Sequence, residues 1–376
     1  MSTIFDSMPR IAPLAAGAPI VRTEKGLEYE RYLKALLATL RHPNPEELTQ
    51  LEAQNLVLRT LEPGSTQAVQ VLQDMSIAYT NDAYVGTRLM PEAPVAESEG
   101  LGVQVWQRDM RVKFDYPTTA ISSGGRVNTV SEGVSPGTAT LVKGALKETV
   151  DIWNERMMQP VVADLVDATT NVLEGMEFNR EVAIAAVAAA GASYGANTAA
   201  IAAADRWNSA GGGDPGGAAD LARRALMGAP GSRLVAFSDL EVFHVLRRHP
   251  MILQAVFGSQ AGAPKGQMRA TLQQLAEYFD VDEYVVASAR RITTQEGQAE
   301  VYGRIWPHCF GMMYVANNPT RRTGAWGITL AQPRTQLTWV ENGTGGKGAY
   351  ITQVTTAEVS TVMCPLNGYL YTTPIN

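Results

Sequence analysis

The chain has 376 residues, 45% of them hydrophobic, a formal net charge of −6 and two cysteines. These values are typical of a folded globular protein of two or three domains. The negative charge argues against a protein that coats nucleic acid through a basic surface, and two cysteines imply no disulfide framework. The first ten residues lack the apolar core of a signal peptide. Polar and glycine residues interrupt the alanine-rich run at 183–204, so we expect no membrane span.

Two amphipathic helices are predicted near the start of the chain. Apolar residues recur at helical spacing between positions 29 and 40. Asn44-Pro45 then has the form of an N-cap followed by proline at the first helical position. Because both helices precede any predicted core strand, residues 1–98 are predicted to form an extended N-terminal arm.

The segment at 102–142 is predicted to form a long β-hairpin. From Met110 to Tyr116 apolar and polar residues alternate, which is typical of a strand with one apolar face. A Ser-Ser-Gly-Gly turn at 122–125 and a polar returning strand follow. Because an isolated two-stranded hairpin is marginal in water, this hairpin needs a partner, and we expect another copy of the protein. The predicted interface residues are Met110, Val112, Phe114 and Tyr116 on the apolar face and Arg111 and Lys113 on the other face.

A long helix is predicted after the hairpin. Its apolar residues recur every three or four positions over about seven turns, with Pro160 inside the run as an expected kink or break. Lys147, Asp151 and Glu155 are spaced by four and are predicted to share a face turned to solvent or to a neighbouring subunit. The apolar stripe consists of Leu146, Val150, Trp153, Met157, Val161, Leu165, Ala168 and Val172.

Short helices and strands are predicted for the rest of the chain. A helix starts at Asp214-Pro215, and two more start at the capping boxes Ser238/Glu241 and Thr271/Gln274. The helix that starts at Ser238 is predicted to end before Pro250. Because helices and strands are partly segregated, the fold class is predicted to be α+β. The predicted strands are 233–237, 284–287, 304–315, 325–330, 336–341, 350–362 and 368–372.

Local signatures of catalysis and of metal or cofactor binding are absent from the sequence. The glycine-rich run 343–348 lacks the Walker spacing and is flanked by predicted strands, so a hairpin loop is favoured. The run 211–217 lacks dinucleotide-binding spacing, and the four histidines form no zinc pattern. His308-Cys309 is too little for a catalytic dyad. We therefore predict no catalytic, cofactor or metal site, although this absence does not exclude an enzyme.

The order of the parts resembles that of the major capsid protein of tailed bacteriophages, which has the Hong Kong 97-type fold. Six short motifs in the same order carry the resemblance over roughly residues 75–376, and each alone is weak. They are Asn81-Asp-Ala-Tyr84 with Leu89-Met-Pro91 and Val95; Val166-Asp-Ala-Thr-Thr170 with Asn179-Arg-Glu181; Trp207 with Asp214-Pro215 and 220–225; Leu234-Val-Ala-Phe-Ser238 with 246–250; 271–281; and 324–329 with 368–371.

The resemblance implies an extended loop at 99–142, a peripheral domain with a spine helix at 143–229 and an axial domain at 230–335. Strands at 336–376 would return to the peripheral domain. It also implies that many copies assemble through pentameric and hexameric capsomers, in the host cytoplasm, into an icosahedral virion shell around double-stranded DNA. The implied partners are other copies, DNA bound non-specifically, and portal, scaffolding and decoration proteins, with no cofactor.

Two alternatives remain open at this point. The first is a cellular nanocompartment shell of the same fold, which would enclose a protein cargo instead of DNA. The second is a soluble oligomeric enzyme, which would form a small oligomer with a defined pocket. Nucleic acid inside purified particles separates the first alternative from a virion, and phosphate binding at 343–347 would favour the second.

Overall fold

The computed structural model describes residues 84–108, 134–151, 161–209, 212–258, 268–295, 297–341 and 348–376. The two helices predicted near the start of the chain lie outside these ranges. The described helices are α1 Gly86–Leu89, α2 Val161–Ala188, α3 Pro215–Ala225, α4 Leu240–Leu246, α5 Pro250–Phe257 and α6 Leu272–Phe279. The described strands are β1 Glu92–Pro94, β2 Gly102–Arg108, β3 Val134–Thr140, β4 Val142–Asp151, β5 Thr198–Ala200, β6 Ser232–Asp239, β7 Glu283–Ala287, β8 Arg290–Ile292, β9 Tyr302–Arg304, β10 Cys309–Ala316, β11 Gly327–Ala331, β12 Thr335–Glu341, β13 Ala349–Val362 and β14 Gly368–Thr372.

The first sheet is organised around the long strand β13. Strand β4 pairs with one side of β13 and β12 pairs with the other, both antiparallel and both along residues 349–355. Strand β11 pairs with the far end of β13, and β1 adds to β11 in parallel. This arrangement leaves β4, β12 and β1 as edge strands among the described elements.

Helix α2 lies across one face of this sheet. Its residues Leu165 and Ala168 pack against Val150 of β4 and Tyr350 of β13. One turn further, α2 residues contact Val354, which is fully buried. The apolar stripe of α2 thus has the helical period, whereas the strand residues that it covers follow the period of two.

The second sheet has the order β5-β14-β10-β6-β7 and is covered on both faces. Helices α3 to α6 pack on one face, around Phe279 and Phe310. The end of α2, α1 and Trp306 pack on the other face, around Phe237. Strands β6 and β10 are buried on both faces, so their central residues are mostly apolar, and they overlap the strands predicted at 233–237 and 304–315.

The predicted long helix is wrong over its first residues. Residues 142–151 form strand β4, and the described helix α2 spans Val161–Ala188. A spacing of four residues places side chains on one face in both a helix and a strand, so Leu146 and Val150 fit either structure. The partner that decides between them is β13, which is about 200 residues later in the chain. Pro160 lies outside the described residues, so the kink or break predicted there stays a prediction.

Two of the predicted helix ends also differ from the structure. Asp239, not Ser238, is the N-cap of α4, and its carboxylate accepts hydrogen bonds from the backbone of Glu241 and Val242. Pro250 does not only end a helix but occupies the first turn of α5. The capping box of Thr271 and Gln274 is confirmed, with both reciprocal hydrogen bonds present.

The predicted boundary at residues 335 and 336 does not coincide with the division into sheets. Strand β11, which was assigned to the axial domain, pairs with β13 in the first sheet. Strand β14, which was expected to return with β12 and β13, pairs instead with β10 in the second sheet. The C-terminal strands therefore divide between the two sheets.

Candidate subunit-contact surfaces

The root of the hairpin is anchored on the first sheet. Strands β2 and β3 pair antiparallel over seven residues each, from Gly102 opposite Thr140 to Arg108 opposite Val134. Inward-facing Val103 and Val105 are buried in a cluster with β11 and β13, on the side of the sheet away from α2. One end of the hairpin is therefore fixed to the body by apolar packing.

Polar contacts hold the same root in place. The Trp106 amide donates to the Arg321 carbonyl oxygen at 3.1 Å, and the Arg322 guanidinium lies 4.6 Å from the centre of the Trp106 ring. Arg321 also binds Glu99 through two nitrogens, which lowers the pKa of the Glu99 carboxyl through hydrogen bonding. These contacts join the hairpin root to the loop between β10 and β11.

The predicted interface residues divide into two groups. Lys147 and Asp151 lie on strand β4, opposite Gln353 and Ala349 of β13. Four residues of a strand span about 13 Å, against about 6 Å in a helix, so the helical ion-pair geometry predicted for them is wrong. The others lie outside the described residues, and their role in an interface stays a prediction. They are Met110, Arg111, Val112, Lys113, Phe114, Tyr116 and Glu155.

Edge strand β12 exposes apolar side chains that the sequence analysis did not single out. Gln336 of β12 faces α2, where its amide donates to Thr169 and Thr352. Leu337 and Trp339 therefore alternate to the opposite face, and 55% of Leu337 is exposed. The strand had been predicted, but which face of it stays uncovered depends on distant residues.

A buried carboxylate joins α2 to the second sheet. Both oxygens of Glu181 accept hydrogen bonds, from the Val85 amide at 3.3 Å, the Gly86 amide at 2.6 Å and the Trp306 indole at 2.7 Å. Burial raises the pKa of Glu181, and these three donors partly offset that effect. A side chain at Gly86 would meet Glu181 at 2.7 Å, so glycine allows this approach. We call this arrangement the Glu181 clamp.

The residue before it, Arg180, holds a second network between α2 and the first sheet. Its guanidinium binds Glu358 of β13, with the Nε–Oε2 distance at 2.8 Å, and Glu92 of β1 at 3.2 Å. Glu177 lies 3.6 Å away and also binds Arg334. Burial alone would lower the pKa of Arg180, but the hydrogen bond and charge of Glu358 raise it.

Asp239 and His308 are close together without a nucleophile. Asp239 is buried, and its carboxylate caps α4 and accepts from Arg304 at 2.7 Å and His308 Nδ1 at 2.9 Å. The other imidazole nitrogen lies 3.4 Å from Glu241. Burial raises the pKa of the Cys309 thiol far above its ordinary value, so this cysteine stays a neutral thiol. The cluster is therefore a structural ion-pair network.

The two glycine-rich segments have packing explanations. Strands β12 and β13, on either side of 342–348, pair antiparallel with Glu341 opposite Ala349, whereas a phosphate loop opens a helix. In the other segment, a Cβ on Gly213 would lie 1.9 Å from the Asp205 carbonyl oxygen, so glycine is needed for close backbone approach. The N-terminus of α3 is capped by Asp214.

Neither a metal cluster nor a membrane helix is found in the described part of the chain. No three His, Cys, Asp or Glu side chains among these residues are grouped as a metal site requires. None of the described helices is long and apolar enough to cross a membrane.

Comparison with solved structures identifies the fold. The chain is similar to a phage-related protein from Bordetella bronchiseptica RB50, with a TM-score of 0.62 and 20% identity, over 80% of this chain and 95% of that one. It is also similar to the capsid protein of cyanophage P-SCSP1u, with a TM-score of 0.51 and 10% identity, over 87% of this chain and 93% of that one. The chain has the Hong Kong 97-type fold. No family model and no curated protein matches the sequence.

The Hong Kong 97-type fold accounts for the placement of the elements described above. The spine helix is α2, which lies on one face of the first sheet, and strands β2 and β3 pack on the other face. The α+β class predicted from the sequence is confirmed. The Glu181 clamp and the Arg180 network both lie on the spine helix, where they tie it to the second and first sheets.

Proposed function

We propose that this protein is the major structural subunit of a capsid. Copies of it would assemble through pentameric and hexameric capsomers into an icosahedral shell around double-stranded DNA. The observation that carries the proposal is the hairpin root at β2 and β3, which packs on the first sheet. The residues that connect its strands, 109–133, contain in sequence the alternating apolar positions that need a partner.

The exposed face of β12 supports an assembling subunit. Leu337 and Trp339 are exposed on one face of this edge strand and Val340 on the other, and exposed apolar side chains on an edge strand favour an interaction site. Full burial of one large apolar side chain contributes about 1.5–3 kcal/mol. Because a shell repeats each contact in every copy, modest contacts of this size are sufficient for assembly.

Microscopy and size measurement of the purified chain test the proposal. We expect megadalton shells, tubes or capsomer-sized species by size-exclusion chromatography and negative-stain imaging. Nuclease-protected DNA inside particles made in the host would support a virion, whereas a protein cargo would favour a nanocompartment. A chain that stays monomeric under every salt and scaffold condition would refute a shell function.

The hairpin is tested by a matched pair of substitutions. Phe114→Asp places a charge on the predicted apolar face and should block assembly while the monomer still folds, because the hairpin is predicted to lie outside the core. Asp115→Asn changes the opposite face and should assemble like the parent. Normal particles from Phe114→Asp, or a variant that does not fold, would contradict the proposed role of this face.

A further inference from the structure

The two longest stretches of the chain without an acidic residue are 242–276 and 301–340. The whole chain has 37 Asp and Glu residues and a net charge of −6, yet each of these stretches contains several arginines and is positively charged. A charge asymmetry of this kind points to an anionic partner only where the fold leaves it uncompensated. The partners that these arginines have within the subunit therefore decide which stretch is available.

The arginines of the stretch 301–340 all have partners within the subunit. Arg304, Arg321 and Arg334 each bind a carboxylate of another element. The guanidinium of the remaining one, Arg322, lies 4.6 Å from the centre of the Trp106 ring. The positive charge of this stretch is thus used to hold the fold together.

The stretch 242–276 stays uncompensated. Its described arginines are Arg247, Arg248 and Arg269, and none of them forms a salt bridge with a carboxylate in the described part of the chain. Arg248 and Arg269 are exposed, and Arg247 is half-buried. Neither α5 nor α6, which both begin in this stretch, has an acidic residue in its first turn. We call the three arginines the arginine patch.

Hydrogen bonds bring the arginine patch together at one junction. The Ala270 amide donates to the Arg247 carbonyl oxygen at 3.0 Å, and Arg247 Nε donates to the Ala270 carbonyl oxygen at 3.0 Å. The backbone of Arg269 therefore lies beside that of Arg247 and Arg248, between the end of α4 and the start of α6. The Arg247 guanidinium also lies 5.0 Å from the centre of the Phe243 ring, which fixes its position.

Phosphate groups of duplex DNA match the arginine patch. A guanidinium binds a phosphate through two parallel hydrogen bonds. Duplex DNA carries one negative charge per about 1.7 Å of its axis, so neighbouring phosphates can meet all three arginines at once. A protein partner would have to bring three acidic side chains to the same junction. The net charge of −6 does not prevent the contact, because charges more than about 8 Å apart are largely screened at physiological salt.

We propose that the arginine patch contacts the phosphates of the double-stranded DNA that the shell encloses. The surface at the end of α4 and the start of α6 would then face the interior of the shell. The contact is independent of base sequence, because arginine–phosphate contacts carry no sequence information. The inference rests on the proposed function and adds to it the surface that meets the DNA.

The salt dependence of DNA binding tests the proposal. Fluorescence anisotropy of a labelled duplex is followed as the full-length chain is added at several salt concentrations. Each neutralised phosphate contributes about −0.9 to the slope of log K against log salt concentration. The slope of Arg247→Gln/Arg248→Gln/Arg269→Gln should therefore be shallower than that of the parent by about 2.7.

A matched triple variant controls for overall charge. Arg224, Arg290 and Arg291 are also exposed and have no salt bridge among the described residues, but acidic residues flank them in the sequence. Arg224→Gln/Arg290→Gln/Arg291→Gln removes the same charge and should keep the slope of the parent within about 0.5. A slope that falls equally in both triple variants would overturn the proposal.

A second pair of variants avoids Arg247, whose side chain also holds Ala270. Arg248→Gln/Arg269→Gln should make the slope shallower by about 1.8, whereas Arg248→Lys/Arg269→Lys keeps both charges and should bind like the parent. Circular dichroism confirms that each variant is folded. If Arg248→Gln/Arg269→Gln binds DNA like the parent, the proposal is wrong.

Imaging of the same proteins separates this inference from the shell function. Particles from the parent together with unchanged slopes in the patch variants would overturn the inference and leave the shell function standing. Patch variants that lose assembly but keep the DNA binding of the parent would show that an acidic surface of a neighbouring copy covers the patch, which also overturns the inference. A parent chain that never assembles overturns the shell function and the inference with it.

Discussion

Removal of the Glu181 carboxylate should destabilise the fold strongly. In Glu181→Ala, three buried donors lose their acceptor: the amides of Val85 and Gly86 and the indole of Trp306. Each buried donor left without a partner costs about 1–3 kcal/mol. The variant also no longer has to bury a carboxylate, which is unfavourable because burial raises the pKa of Glu181. This gain reduces the net loss of stability. We therefore expect a loss of about 3–5 kcal/mol in the free energy of unfolding.

Urea denaturation followed by tryptophan fluorescence measures this loss, and Trp306 lies in the clamp itself. Glu97→Ala is the matched control, because Glu97 is exposed on a short 3₁₀ turn and should change stability by less than about 0.5 kcal/mol. A loss below about 1 kcal/mol for Glu181→Ala would mean that the three donors find other partners. The clamp would then not hold α1 and the second sheet to the spine helix.

The pH dependence of the same clamp has a defined sign. The folded-state pKa of Glu181 is raised, so its contribution to stability is fully present below the ordinary pKa of glutamate and is lost as pH rises through the folded value. Glu181→Gln cannot titrate. The stability advantage of the parent over Glu181→Gln should therefore be larger near pH 4 than near pH 8. An advantage that grows with pH would mean that the hydrogen bonds outweigh burial.

Three further predictions concern other parts of the molecule. Arg180→Ala removes a buried guanidinium and leaves the partly buried Glu358 without its partner, while Glu177 keeps Arg334. It should cost about 3–5 kcal/mol in the free energy of unfolding by urea titration, and a loss below about 1 kcal/mol would contradict the network. Leu165→Ala should lower the free energy of unfolding by about 2–5 kcal/mol, because Leu165 packs between α2 and the first sheet. Lys147 is exposed, and Lys147→Ala should lower it by less than about 1 kcal/mol. The reverse order would mean that the buried face of α2 is misplaced. The free subunit, with its net charge of −6, should bind duplex DNA no more tightly than about 10⁻⁴–10⁻⁶ M by fluorescence anisotropy, and nanomolar sequence-dependent binding would contradict this.

Local signals in the sequence were sufficient for elements that depend on neighbouring residues. The capping box at Thr271 and the start of α3 at Asp214-Pro215 are decided within one helical turn, and the structure has both. The strands predicted at 233–237 and 304–315 overlap β6 and β10. The N-cap predicted at Ser238 is wrong because another N-cap residue type, Asp239, is adjacent, and the choice depends on which side chain reaches the first turn.

Features that depend on residues distant in the sequence could not be predicted from local sequence patterns. Leu146 and Val150 fit a helix or a strand equally until β13 supplies a pairing partner. The sequence motif at 179–181 resembled a family motif, but its function as a clamp requires Val85 and Trp306, which are 96 and 125 residues away. The hydrogen-bond donors of these buried charged residues lie far away in the sequence. Residue spacing on the helix therefore cannot predict the network.

The distribution of strong and weak contacts is consistent with a subunit that must stay rigid and still assemble. Buried polar networks that are fully satisfied hold a unique arrangement, and here Arg180 ties the spine helix to the first sheet while Glu181 ties it to the second. Exposed apolar residues are found on edge strand β12 and on strands β8 and β9, and neither Trp339 nor Tyr302 takes part in either network. A neighbouring copy could therefore cover these surfaces without disturbing the contacts that fix the two sheets on the helix. This separation predicts that substitutions at Trp339 or Tyr302 change assembly with little change in monomer stability, and that substitutions at Arg180 or Glu181 do the opposite.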